Sequence, residues 1–166
     1  MAGAAFGRRG ALALLGSAGV VAACGFSPVY APGSAGADLR GRVLPDAPGS
    51  RLAFAFVARF EDRLGRAEEG DLRLTYQLQF REERLALSGS GSDLRLAIVG
   101  RATFQVRDPG QGVLTQGQVE GSASFSDRGT SVAVRTARAD AQRRAAVLLA
   151  DKTADRLIAT AEAWLP

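Results

Sequence analysis

Cys24 is the residue whose reactivity stands out by its position. It is the only cysteine in a chain of 166 residues that has no histidine. A thiolate is both a nucleophile and a metal ligand. Zinc sites, Ser-His-Asp triads and Cys-His dyads, however, need partners that this composition excludes. A disulfide within the chain is excluded too. Enzymes built on carboxylates, or on Ser and Lys, remain open by composition, but no motif for either is present. Glu61, Asp62, Glu82 and Glu83 would be the acids of a carboxylate-dependent envelope hydrolase, and ordinary helix and strand surfaces account for all four. The second reactive class is cationic. The net charge is +4 and Lys152 is the only lysine, so the positive charge is almost all arginine. A guanidinium fork suits phosphate and carboxylate, although an arginine- and alanine-rich chain is also what a GC-rich genome encodes.

The residues before Cys24 have the three parts of an export signal. A basic region ends at Arg8-Arg9. An apolar region runs from Ala11 to Val21, broken by Gly16, Ser17 and Gly19, and the small Ala22 and Ala23 follow. This run is shorter than the roughly 20 apolar residues a membrane span needs, so it reads as a signal peptide. Val21-Ala22-Ala23-Cys24 resembles the bacterial lipoprotein box. The resemblance implies a diacylglyceryl group on the thiol, cleavage after Ala23 and acylation of the new amine. Two or three chains, at about 0.8 kcal/mol per buried CH₂, anchor stably where one does not. No other cofactor is expected. Gly10-Ala11-Leu12 after the arginine pair fits ordinary signal charges better than a twin-arginine signal. Gly25, in place of an aspartate that would retain the protein at the inner membrane, favours the outer membrane. The expected organisation is a signal peptide over 1–23, a lipidated N-terminus and tether over 24–38, and a single domain over 39–166. Removing Arg8 and Arg9 makes that domain less basic than the whole chain.

The elements that follow must position the arginines. Ala31 to Ala37 reads as a Pro/Gly/Ser/Ala tether, and Leu39 to Leu44 as a short strand stopped by Pro45-Asp46-Ala47-Pro48-Gly49. Ala53, Phe56, Val57, Phe60 and Leu64 recur at helical spacing. Ser50 is the expected N-cap, and Gly65 or Gly70 the stop. Asp62 and Arg66 are spaced for an i,i+4 pair. The period then falls to two. Leu72, Leu74, Tyr76, Leu78 and Phe80 share one face, and Arg73, Thr75, Gln77, Gln79 and Arg81 the other. Leu85 and Leu87 break that parity, which predicts a bulge near Glu82-Glu83.

Ser88 to Asp93 reads as a turn. A second long strand has Leu94, Leu96, Ile98, Ala102, Phe104 and Val106 inward, with Arg95, Arg101, Thr103, Gln105 and Arg107 outward. After the loop from Asp108 to Gly112, a third strand runs from Val113 to Phe125, which makes an antiparallel meander. Asp127 to Val134 is a connection. The last helix spans Thr136 to Trp164, with Val147, Ala150, Ala154, Leu157, Ile158, Ala161 and Leu165 as its apolar stripe and Trp164 sealing the core. These elements predict an α+β two-layer sandwich in which two helices cover one face of a mostly antiparallel four-stranded sheet. The other face, rich in Arg, Gln, Thr and Ser with few acids, is either a solvated surface or a broad docking surface.

Cys24-Gly25-Phe26-Ser27-Pro28-Val29-Tyr30 resembles the mature start of the alphaproteobacterial LptE lipoproteins of lipopolysaccharide assembly. Phe60-Glu61-Asp62-Arg63-Leu64-Gly65 resembles that family's first helix, and Thr136-Ala137-Arg138-Ala139-Asp140-Ala141 onward to Leu157 its last. The resemblance implies a non-enzymatic protein that plugs the outer-membrane barrel LptD from the periplasmic face, helps that barrel assemble and helps place lipopolysaccharide in the outer leaflet. Arginines near the junction of the last strand and last helix, Arg135 and Arg128, are then the candidates for lipopolysaccharide, with Arg101 and Arg107 on the outward face second. Nothing points to nucleic acid. The competing reading is an accessory lipoprotein of another envelope transporter, such as an ABC-type lipid exporter. Cys24→Ala is expected to give a soluble, folded domain, measured by fractionation and by the mass of the intact protein, because the periodic core does not use the thiol.

Overall fold

The structure, a computed structural model, describes residues 33–165 apart from 69–70, 86–94, 111 and 128. In order, these residues form a short helix α1 (Ala35–Asp38), strand β1 (Val43–Pro45), helix α2 (Arg51–Leu64), strands β2 (Leu72–Leu85), β3 (Arg95–Asp108) and β4 (Gly112–Ser126), and helix α3 (Ser131–Thr160). The sheet order is β1-β2-β3-β4, with β1 parallel to β2 and the rest antiparallel. The expected α+β sandwich is the observed architecture, with α1 as a third, short helix. That helix occupies part of the stretch read as a tether, and Leu39 just after it is fully buried.

α2 forms as its sequence dictates. The Ser50 hydroxyl accepts a hydrogen bond from the Ala53 N–H at 3.1 Å. The five residues of the apolar stripe, Ala53, Phe56, Val57, Phe60 and Leu64, are all buried. Gly65 ends the helix at φ 79°, a conformation that favours glycine. Because the chain leaves the helix there, Arg66 is off the helical face. The expected Asp62–Arg66 pair gives way to an Arg66–Glu61 contact at 3.7 Å. Phe56 stacks on Tyr76 with ring centroids 4.8 Å apart. Each fully buried Phe or Leu of this cluster contributes about 1.5–3 kcal/mol.

β2 and β3 pair without interruption from Arg73↔Arg107 to Leu85↔Arg95, so the bulge predicted near Glu82-Glu83 is absent. The parity change at Leu85 is met by exposing that leucine on the outer face. Leu87 and the Ser88–Asp93 turn lie outside the described residues. The irregularity falls instead where β3 meets β4, between Val106 and Arg107, with Thr115 opposite the first and Val113 opposite the second.

α3 starts at Ser131, earlier than expected, because the Thr130 hydroxyl accepts from the Ala133 N–H at 3.3 Å and caps it. Its buried arc is Ala141, Ala145, Ala146, Leu149, Ala150, Thr153, Ala154 and Leu157. Val147 and Ile158, expected in the stripe, are only half-buried. The arc differs because α3 packs on two partners, the sheet and α2, and its alanines do most of the contact. Arg59 and Arg63 of α2 both reach Asp151 of α3 at 2.9 Å, and Arg63 also pairs with Asp155. Trp164 is half-buried against the core, as expected, and donates to the Thr160 hydroxyl at 3.1 Å.

Glycines let α3 approach the sheet. Gly100 and Gly121 are directly opposite each other on β3 and β4. A Cβ on Gly100 would lie 2.9 Å from Leu149 Cδ1, and one on Gly121 would lie 2.8 Å from Leu148 Cδ2. Gly121→Val is therefore expected to destabilise the fold by about 1–3 kcal/mol in denaturant unfolding, the usual cost of overpacking. Parental stability would mean that α3 does not press on this point.

Candidate functional site

The outer face of the sheet is the surface that the helices leave open. Strand alternation puts Thr75, Gln77 and Gln79 of β2 on it, and register places them in rows: Thr75–Gln105–Gln116, Gln77–Thr103–Gln118 and Gln79–Arg101–Glu120. Neighbours lie about 4.8 Å apart across strands and about 6.8 Å apart along them. Gln105 Nε2 donates to Gln116 Oε1 at 3.3 Å. Two shallow depressions mark the face. One of about 210 Å³ is lined by Thr75, Gln77, Thr103 and Gln105, and one of about 180 Å³ by Gln79, Arg81, Val99 and Arg101. Amides and hydroxyls both donate and accept hydrogen bonds. Such a platform recognises a polar surface through hydrogen bonds and has no acid–base reactivity of its own.

The few acids on this face matter more than their number suggests, because each sits beside an arginine. Arg101 donates from Nε at 2.8 Å and from a terminal nitrogen at 2.6 Å to the same Glu120 oxygen. Arg81 donates to Glu83 at 2.7 Å, and that bond raises its pKa above the ordinary arginine value. At the β1 end, Arg42 binds both oxygens of Asp71 and holds that carboxyl below its ordinary pKa. The central rows of the face are polar and nearly neutral, whereas Arg95 and Arg107 near the two ends of β3 have no acid opposite them.

The structure separates the candidate arginines. Arg101 and Arg107 are on the outer face, about 20 Å apart along β3. Arg101 is committed to Glu120, and Arg107 donates to Gln105 Oε1 at 3.1 Å. Arg135 is exposed near the start of α3, in the other layer, with no ion-pair partner among the described residues. Cys24 and Arg128 lie outside the described residues. The four candidate acids do not converge either. Glu61 pairs with Arg66, Glu82 with Arg138 at 2.9 Å and Glu83 with Arg81, and Glu82 and Glu83 point to opposite sides of β2. Among the described residues no three metal-ligating side chains come together, and no helix is long and apolar enough to cross a membrane.

Sequence reasoning missed a flank of α3. Arg144 donates to the Ser124 carbonyl at 2.9 Å, and Lys152 to the Glu120 carbonyl at 2.7 Å. Both cover the outer edge of β4. Their spacing with Leu148 and Arg156, every fourth residue, was the available signal. Arg138 also stands over the Phe125 ring at 5.9 Å while it holds Glu82, which ties the start of α3 to β2 and β4.

Fold and surface together define a class: a two-layer α+β domain that presents a polar sheet face with amide-rich central rows. Known structures share the fold. A chain described as a lipoprotein from Caulobacter crescentus CB15 superposes with a TM-score of 0.61 at 17% identity, covering 80% of this chain and 98% of that one. The rare lipoprotein B of Shewanella oneidensis gives a TM-score of 0.53 at 15% identity, over 73% and 94% of the two chains. A minor lipoprotein of Acinetobacter baumannii gives 0.52 at 15% identity, over 71% and 89%. No curated protein sequence matches the chain. The family model LptE, lipopolysaccharide-assembly, matches residues 40–157, most of the chain. The chain belongs to the LptE family of lipopolysaccharide-assembly lipoproteins.

The Arg101–Glu120 pair is solvent-exposed on both sides, and exposed pairs contribute about 0–1 kcal/mol. Arg101→Ala is expected to shift the unfolding free energy by no more than that. A loss of several kcal/mol would make the pair a structural element of the sheet.

Proposed function

We propose that the protein is an outer-membrane lipoprotein, acylated at Cys24 and held at the periplasmic face, that seats in the lumen of the LptD barrel and assists its assembly and the delivery of lipopolysaccharide to the outer leaflet. It acts by binding, without catalysis. The observation that carries this reading is the neutral amide face formed by Thr75, Gln77, Gln79, Thr103, Gln105, Gln116 and Gln118. A barrel lumen is lined by polar side chains. A plug in it must exchange hydrogen bonds with that lining and cannot bury unpaired charge. The amides supply the bonds, and Glu120 and Glu83 offset the charges of Arg101 and Arg81 beside them, while Arg95 and Arg107 stand near the two ends of β3, outside the amide rows. Family membership supports the same assignment.

Lipopolysaccharide carries phosphates and carboxylates that pair with guanidinium groups. Arg135 is the first choice among the candidates, because it is exposed and keeps its charge uncommitted among the described residues. Arg128 neighbours it in sequence. Arg107 and Arg101 come after, since each already bonds within the sheet.

Purification of the native lipoprotein from membranes is expected to bring down a large β-barrel, and inner-membrane transporter subunits in its place would overturn the proposal. Arg135→Glu is expected to weaken lipopolysaccharide binding about tenfold with an unchanged unfolding curve. Equal binding would remove Arg135 from the site.

A further inference from the structure

The two edges of the sheet are treated differently. At β4, Arg144 and Lys152 reach over from α3 and occupy the outward carbonyls of Ser124 and Glu120. At the other edge, β1 is three residues long and pairs only with Leu72 to Leu74. The Leu72 N–H donates to the Arg42 carbonyl, and the Leu74 carbonyl accepts from the Asp46 N–H. Strand periodicity then directs the N–H and C=O groups of Tyr76, Leu78 and Phe80 the same way. No backbone of the described residues pairs with them there.

This edge differs from one that natural sheets protect. Over Thr75–Phe80 it has no charge, no proline and no bulge, the devices that usually blunt an edge. It also borders an open groove of about 340 Å³, whose walls include Ser50 and Leu52 on one side and Tyr76, Leu78 and Phe80 on the other. The groove exists because α2 is 14 residues long, about 21 Å, against roughly 45 Å for the 14-residue β2. Phe54 is 65% exposed. At 100° per residue it lies half a turn from Arg63, whose partners are on α3, so it faces away from α3 on the flank above this edge.

We infer that the edge of β2 from Tyr76 to Phe80 is a docking site that accepts an extended peptide segment as an added strand. The repeating N–H and C=O groups call for a polypeptide rather than a lipid or a sugar. One row of its side chains meets Leu52, Leu78 and Phe80 and is apolar; the other lies beside Gln77 and Gln79 and is polar. Charged residues do not fit it, since Arg73 is already paired with Asp46 and Arg81 with Glu83 at the two ends. Resting on the proposed function, the inference assigns the segment to the barrel partner. A closed barrel has no free edge of its own, so the segment comes from outside the barrel's strand ladder.

Residue-resolved hydrogen exchange on the free lipoprotein and on its purified barrel complex tests this. In the free protein the Tyr76, Leu78 and Phe80 amides are expected to exchange fast, while those of Gln77 and Gln79, directed to β3, exchange slowly. In the complex the first three are expected to slow at least tenfold. A complex that forms with those amides unchanged would overturn the docking site and leave the proposed function standing. Failure of the barrel to co-purify would overturn both. Protection that grows with concentration in the free protein would mean a second copy is the occupant and overturn the assignment. As a variant, Leu78→Pro removes an outward N–H, which an edge strand tolerates, together with a leucine side chain half-buried against the core, so some loss of stability accompanies it. It is expected to keep the parental fold by circular dichroism and weaken the complex about tenfold, and unweakened assembly would count against the inference.

Discussion

The close approach of α3 to the sheet is the constraint on which the rest of this domain depends. Gly100, Gly117 and Gly121 remove the side chains that would hold the helix off. A Cβ at the middle one would sit 2.8 Å from the Phe104 ring and 2.9 Å from Arg156. The helix then contributes mostly alanines to its buried arc. With α3 that close, Leu149 and Leu157 fill the centre between the two helices and the sheet. The same approach brings Lys152 and Arg144 within reach of the β4 carbonyls. Core packing and edge protection therefore share one cause.

The large periodic elements were legible in the sequence. Alternation over Leu72–Phe80, helical spacing over Ala53–Leu64 and the Ser50 cap each correspond to what is seen. These signals are local, so neighbours do not override them. What escaped was set by tertiary partners. The expected α3 stripe holds at Ala150, Ala154, Leu157 and Ala161, but it takes in the branched Val147 and Ile158 and leaves out Ala141, Ala145 and Ala146, which a helix against a glycine-lined sheet buries. The bulge was placed by the parity of Leu85, but an exposed leucine on an edge strand costs less than breaking a regular ladder. The Asp62–Arg66 pairing needs a helix two residues longer than the one Gly65 ends at Leu64.

The candidate site was legible by type and not by geometry. Strand parity alone identified the polar outer face. The charge balance of its central rows depends on register, which puts Glu120 opposite Arg101, and the sequence does not state register. The arginines were chosen for their chemistry without knowledge of their layers. Among the described residues, Arg101 and Arg107 lie on the outer face and Arg135 near the start of α3, so a single anionic cluster cannot engage all three together.

The clasp between α2 and α3 also has a consequence for how the chain matures. Arg59 and Arg63 meet Asp151 at sequence separations of 92 and 88. A chain that emerges from its N-terminal end cannot close that contact until nearly all of it is free. Non-local contacts of this kind slow folding, so the early hairpin-forming strands wait, uncovered, for the final helix. Any factor that escorts the newly made protein has that interval in which to act.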